Sequence, residues 1–222
     1  MICVQSFSLP PVNRREILRY AAAKEETPEL SGLLDDALAE ALPHITGKVC
    51  WSEFPVSRDG QLLHLGFAET DSESLRRNLQ GCDRIVVFAA TLGLSLDRLI
   101  ARYGYQSPAK ALMLQAIGAE RIEALCDTFC QWLQQEVCQQ DLHPMPRFSP
   151  GYGDFPLQMQ EPIFRVLDCP RKIGLTLNES LLMSPSKSVT AIVGLNPQGS
   201  TDPKNRCSQC NKTDCMYRRT TK

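Results

Sequence analysis

The sequence predicts an α+β fold, an antiparallel or mixed sheet flanked by helices. Three observations carry that reading. Residues 85–90 ("IVVFAA") and 188–195 ("SVTAIVGL") read as buried strands. Other segments repeat apolar residues every three or four positions, the spacing of an amphipathic helix. Short strands and long helices also mix without the β–α–β rhythm that builds a parallel sheet.

Taken in order, "NRREILRYAAAKEE" (13–26) sets Ile17, Leu18, Ala21 and Ala22 against charges elsewhere, a first helix. Pro28 opens a second amphipathic helix, closed near Pro43. Residues 48–70 predict two strands around the turn signal Asp59-Gly60. Asp71 or Ser72 caps a short helix that stops at Gly81. The strand at 85–90 ends in Thr91-Leu92-Gly93, a plain turn or a ligand-lining one, and opens a helix. A long helix spans 107–139 with Pro108 in its first turn, about 50 Å at 1.5 Å per residue. Its stripe is Leu112, Ala116, Ala119, Glu123, Cys126, Cys130, Leu133 and Val137. Glu123 interrupts that stripe, either as a half-exposed edge residue or as a carboxylate facing the loop that follows. A loop over 141–156, a short helix over 157–168 and the final strand complete the body. Residues 1–195 form the folded domain, and 196–222 a tail rich in Pro, Gly, Ser, Lys and Asn.

The chain has 222 residues, enough for one sizeable core with a small appendage. Hydrophobic content of 43% and charged content of 22% are ordinary for a globular protein. A formal net charge of -1 argues against a general nucleic-acid footprint, which wants a basic excess. No apolar run is long enough for a membrane span, and the start lacks a signal-peptide pattern. A cytoplasmic setting is expected, so the ten cysteines are read as thiols rather than disulfides. His44, His64 and His143 are scattered and are assigned no role.

The loop "RFSPGYGDFPL" (147–157) fixes an arginine, a tyrosine and an aspartate close together. The planar fork of Arg147 suits a carboxylate or phosphate. Ser149 sits between it and Gly151, and Gly151 permits close backbone approach or a positive φ. Tyr152 offers a π face that attracts cations, including sulfonium centres. A ligand with both a carboxylate and a cationic centre, such as S-adenosylmethionine, fits this set. The alternative is a tight structural loop in which Arg147 pairs with a nearby carboxylate such as Asp154.

This loop, with "IGLTLNESLLMSPSKSV" after it, resembles the C-terminal activation domain of cobalamin-dependent methionine synthase. That family carries Arg-x-x-x-Gly-Tyr, matched by Arg147, Gly151 and Tyr152. It also carries a second element, matched by Gly174, Leu177, Ser180, Met183, Pro185, Ser188 and Val189. The resemblance covers 147–189 well, "VVFAATLG" (86–93) and the long helix with "AERIEALCD" (119–127) more loosely, and 1–60 little. It implies a twisted antiparallel sheet with S-adenosylmethionine in a shallow groove contacted by Arg147 and by backbone around Gly151 and Tyr152. It further implies methyl transfer to cob(II)alamin on a methionine synthase or related corrinoid partner, with an electron from a flavodoxin-type or other donor. On this resemblance the chain is a standalone activation subunit. The family's aromatic pair beyond the last strand has no counterpart here.

Cys207, Cys210 and Cys215 place three thiols within nine residues. Cys-x2-Cys is a common half-site for zinc or an iron–sulfur cluster. A plain cysteine-bearing segment is the alternative. Two other functions stay open: a cysteine-tail metal or iron–sulfur protein that reduces a corrinoid partner without S-adenosylmethionine, and a non-catalytic S-adenosylmethionine-binding module.

Overall fold

The computed structural model describes residues 1–138 and 140–197. Strand β1 (Cys3–Ser6) leads into helices α1 (Arg14–Tyr20) and α2 (Pro28–Ala41). Next come β2 (Lys48–Pro55), β3 (Ser57–Asp59), β4 (Leu62–His64), β5 (Glu69–Thr70) and α3 (Glu73–Asn78). Then follow β6 (Arg84–Thr91), α4 (Leu94–Gln106), α5 (Pro108–Cys138) and β7 (His143–Pro144). The order ends with α6 (Gln160–Leu167), α7 (Cys169–Ile173), β8 (Thr176–Leu177), β9 (Met183–Ser184) and β10 (Ser188–Asn196).

Five strands form one sheet in the order β1-β2-β6-β10-β7, and every neighbouring pair is antiparallel. Successive strand residues point to opposite faces. Along β6, Val86, Phe88 and Ala90 enter one core, and Ile85, Val87 and Ala89 the other. Helices α1, α2, α4 and α5 cover the first face, and α3, α6 and α7 the second. Residues 85–90 are an unbroken apolar run because each side chain meets a helical layer, whichever way it points.

The caps follow their side chains. Asn13 accepts from Glu16 N, Thr27 from Leu30 N and Ser72 from Leu75 N. Helix α1 stops at Tyr20, short of the expected 26. Ala22 takes φ +56°, and the Ala23 amide turns back to the Leu18 carbonyl at 2.9 Å. The Asp59-Gly60 turn is present between β3 and β4. The two strands expected over 48–70 are four, because all eight residues of β2 pair with β6 in the main sheet.

Helix α5 has its expected length, yet its buried arc is wider than one stripe. Leu112 is 55% exposed, whereas Met113, Ile117, Leu125 and Phe129 join Ala116, Cys126, Leu133 and Val137 in the core. The cause is crowding: α1, α2 and α4 all pack on α5. The buried Glu120 and Arg121 lie side by side on this helix. Arg121 donates to Glu120 and to the carbonyls of Pro10 (2.6 Å) and Pro11 (3.3 Å), while Glu120 accepts from Asn13 N at 3.1 Å. Burial demands such pairing, and it fastens the connection before α1 to the central helix.

The far edge of the sheet positions the loop. After β7 the chain continues along β10. Met145 N donates to Gly194 O at 2.7 Å, and Phe148 exchanges two 2.8 Å hydrogen bonds with Ile192. Pro144 and Pro146 are tolerated because an edge strand has no partner on one side.

Candidate functional site

Arg147 and Phe148 leave the sheet edge in opposite directions. Phe148 packs against the core beneath α3 and α6. Arg147 turns to the other layer and meets α5. Its Nη2 donates to Glu123 Oε2 at 2.6 Å, and its Nη1 to Asp127 Oδ1 at 2.5 Å. Glu123 and Asp127 are four apart and share one helix face. Side by side they repel, and the guanidinium between them removes that cost.

Arg147 is 21% exposed, while Glu123 and Asp127 are 41% and 45% exposed. Burial works against the charge on Arg147, but the surrounding acidic groups outweigh it and raise its pKa. One guanidinium against two carboxylates leaves the cluster net negative. Tyr20 approaches from α1, its pKa raised by burial and by Glu123. Cys126 and Cys130 lie beside Arg147 with their pKa values pushed up by burial, which keeps them as neutral thiols.

Beyond Phe148 the chain folds into tight turns. Tyr152 N donates to Ser149 O at 3.2 Å, Phe155 N to Tyr152 O at 2.9 Å, and Gly151 N to Phe155 O at 2.8 Å. Gly151 takes φ +90°, and an added Cβ would meet only Leu157 Cδ1, at 3.3 Å. Conformation rather than space therefore demands glycine there. Phe155 anchors the loop in the core, and Tyr152 is presented outward, 66% exposed, with its ring 6.4 Å from that of Phe148. Arg147, Ser149, Gly151 and Tyr152 thus share one short stretch, with the Arg147 side chain held by the carboxylates of α5 and the Tyr152 ring near that of Phe148.

One expectation changes and one alternative is decided. Asp154 is not the partner of Arg147; it accepts hydrogen bonds at the start of α3 instead. Glu123 does face the loop, and it brings Asp127, which sequence reading passed over. The i, i+4 spacing of the two acids on the predicted helix was the available signal. Thr91-Leu92-Gly93 is a strand-to-helix turn, with Gly93 N bonded to Thr91 Oγ1 at 3.2 Å. Cys207, Cys210 and Cys215 lie outside the described residues. Among the described residues no group of three or more His, Cys, Asp or Glu could hold a metal ion, and no helix is long and apolar enough to cross a membrane.

Residues 74–219 match the family model "Vitamin B12 dependent methionine synthase, activation domain". The matched stretch takes in the 147–157 loop and runs on through the three tail cysteines. No curated protein matches the chain. Among solved structures, the fold is similar to that of a MetH reactivation domain crystallised with AdoHcy bound. The TM-score is 0.65 at 17% identity, over 91% of this chain and 80% of that one. At that coverage, most of the N-terminal third outside the family match shares the fold.

Proposed function

The chain belongs to the family of vitamin B12-dependent methionine synthase activation domains, and from that premise we propose that it binds S-adenosylmethionine on the 147–152 loop and presents it to a cobalamin-bearing partner. The observation that carries this reading is Arg147 seated between Glu123 and Asp127 at the start of the loop whose Gly-Tyr turn faces outward. The ligand's amino-acid end holds a carboxylate and an ammonium on one carbon. The guanidinium has five N–H donors, so engagement with two carboxylates leaves donors for a third. The ligand's carboxylate takes those donors, and its ammonium is drawn to Glu123 and Asp127. Gly151 keeps the backbone bare where the ligand passes. The exposed face of Tyr152 attracts the sulfonium. A ligand of net positive charge then meets a cluster of net negative charge.

When bound, S-adenosylmethionine supplies an electrophilic methyl group for reductive methylation of the partner's cobalamin. The chain's contribution is to hold and orient that donor at an open surface. The partner is a cobalamin-dependent methionine synthase or related corrinoid protein, and the electron comes from a flavodoxin-type or other donor. On this reading the body that ends with β10 at Asn196 is the ligand-binding unit, and the three cysteines follow it in the chain. The test is to incubate the protein with a cob(II)alamin-loaded partner, a reductant and methyl-labelled S-adenosylmethionine. Label should appear on the corrinoid, and Arg147→Ala should suppress it. If no label is transferred while an authentic activation domain labels the same partner, the proposal fails.

A further inference from the structure

The loop does not hold its form alone. Helix α3 grips it at both ends. At the first, Asn78 Nδ2 donates to the carbonyl of Pro146, immediately before Arg147, at 3.2 Å, and Asn78 is buried. At the second, Asp154 receives three hydrogen bonds from the start of α3. Ser72 Oγ donates to Oδ1 at 2.6 Å, Ser74 N to Oδ1 at 3.0 Å and Glu73 N to Oδ2 at 2.9 Å. Ser72 in turn accepts from Leu75 N at 3.1 Å. The first amides of a helix have no partner within it, and here a carboxylate from 80 residues away takes two of them. Close approach is built into the backbone as well. A Cβ on Gly153, at φ +56°, would stand 2.6 Å from Ser74 Oγ.

We propose that Asp154 is a positioning residue for the ligand site: by capping α3 it closes the 147–155 loop into the one form that presents Arg147, Gly151 and Tyr152 together. This rests on the assignment of that loop to S-adenosylmethionine. The covalent path from Asp154 to Tyr152 is two residues, and the Gly151–Phe155 and Tyr152–Phe155 hydrogen bonds span the same turn. Release of the carboxylate therefore removes the tie between that turn and α3 and leaves Phe155 as its anchor. Apparent affinity falls with the fraction of molecules in the competent form. A loop closed about one-tenth of the time binds about ten-fold more weakly.

The experiment is titration calorimetry with S-adenosylmethionine on four proteins beside wild type. Asp154→Ala removes the clamp. Gly153→Ala leaves the carboxylate but forces loop and helix apart, and it serves if Asp154→Ala does not fold. Arg147→Ala reports the ligand site itself. Lys110→Met is a stability control; Lys110 pairs with Asp36 and Glu40, about 20 Å along α5 from Glu123. Asp154→Ala and Gly153→Ala should each weaken binding about ten-fold, and Lys110→Met less than two-fold at the same fraction below its melting temperature. If wild type binds, Arg147→Ala does not, and both clamp variants bind like wild type, the positioning role is overturned while the site stands. If Lys110→Met loses as much as the clamp variants, the effect is general destabilisation and the role is likewise overturned. Failure of wild type to bind removes the site reading and the positioning role with it.

Discussion

Glu123→Gln is the perturbation that asks whether the acidic cluster reads a cation. The substitution keeps the shape of the side chain and an oxygen that can still accept from Arg147 Nη2. Asp127 continues to hold Nη1, so the guanidinium stays in place. What is lost is one negative charge. A ligand cation about 5 Å from that charge gains about 0.8 kcal/mol in bulk water and about 1.7 kcal/mol at half that dielectric. Glu123 is 41% exposed, so its environment lies between those limits. Binding of S-adenosylmethionine should therefore weaken about four- to fifteen-fold. S-adenosylhomocysteine keeps the ammonium and should lose by a similar factor. Calorimetry at low salt and at about 1 M salt, where the Debye length falls to about 3 Å, checks the origin. The ratio between wild type and variant should shrink at high salt. An unchanged affinity, or a tighter one, would show that no ligand cation sits near Glu123 and that the cluster is only an ion pair.

Three further outcomes are expected. Ala22 is exposed in a left-handed conformation at the end of α1, so Ala22→Gly should stabilise the protein by about 0.5–1 kcal/mol, seen as a higher urea midpoint; a lower midpoint contradicts this. Hydrogen bonds from Lys110 and Tyr103 lower the Glu40 pKa to about 2, and the Ser72 hydroxyl, aided by α3 amides, lowers that of Asp154. Their unfolded forms take up protons near pH 4, so the stability they add is complete above about pH 5 and is lost as pH falls toward 2. The urea midpoint should drop between pH 5 and 3, less steeply in Asp154→Asn; equal slopes would refute the role of Asp154. Finally, anaerobically prepared protein should carry zinc or an iron–sulfur cluster that disappears when Cys207, Cys210 and Cys215 are all replaced by serine. Less than about one-tenth of an equivalent of metal per chain after reconstitution would leave them as plain thiols.

The sequence discloses most where one residue decides a local outcome. The strands at 85–90 and 188–195, the start of α2 at Pro28, the cap at Ser72 and the turn at Gly60 are legible because composition and local geometry agree there. The buried arc of α5 was legible only in part, since its width is set by three helices that pack on it from distant positions. The same holds at the site. Arg147, Gly151 and Tyr152 stand out as a motif, and Glu123 as a break in a stripe. Asp127 does not, because an acid on a half-exposed helix face is ordinary until an arginine arrives. Asp154 looks like the natural partner for that arginine on sequence distance. It goes to α3 because three donors converge there, among them two helix-end amides without another partner.

The central claim is that Arg147 holds S-adenosylmethionine. Its most direct test is the equilibrium affinity of the purified protein for that ligand, wild type against Arg147→Ala, measured by calorimetry. Loss of hydrogen bonds to a charged group costs about 1.5–3 kcal/mol, so the affinity should fall roughly ten- to hundred-and-fifty-fold. Equal affinities for the two proteins, or no binding to wild type at millimolar ligand, would contradict the account.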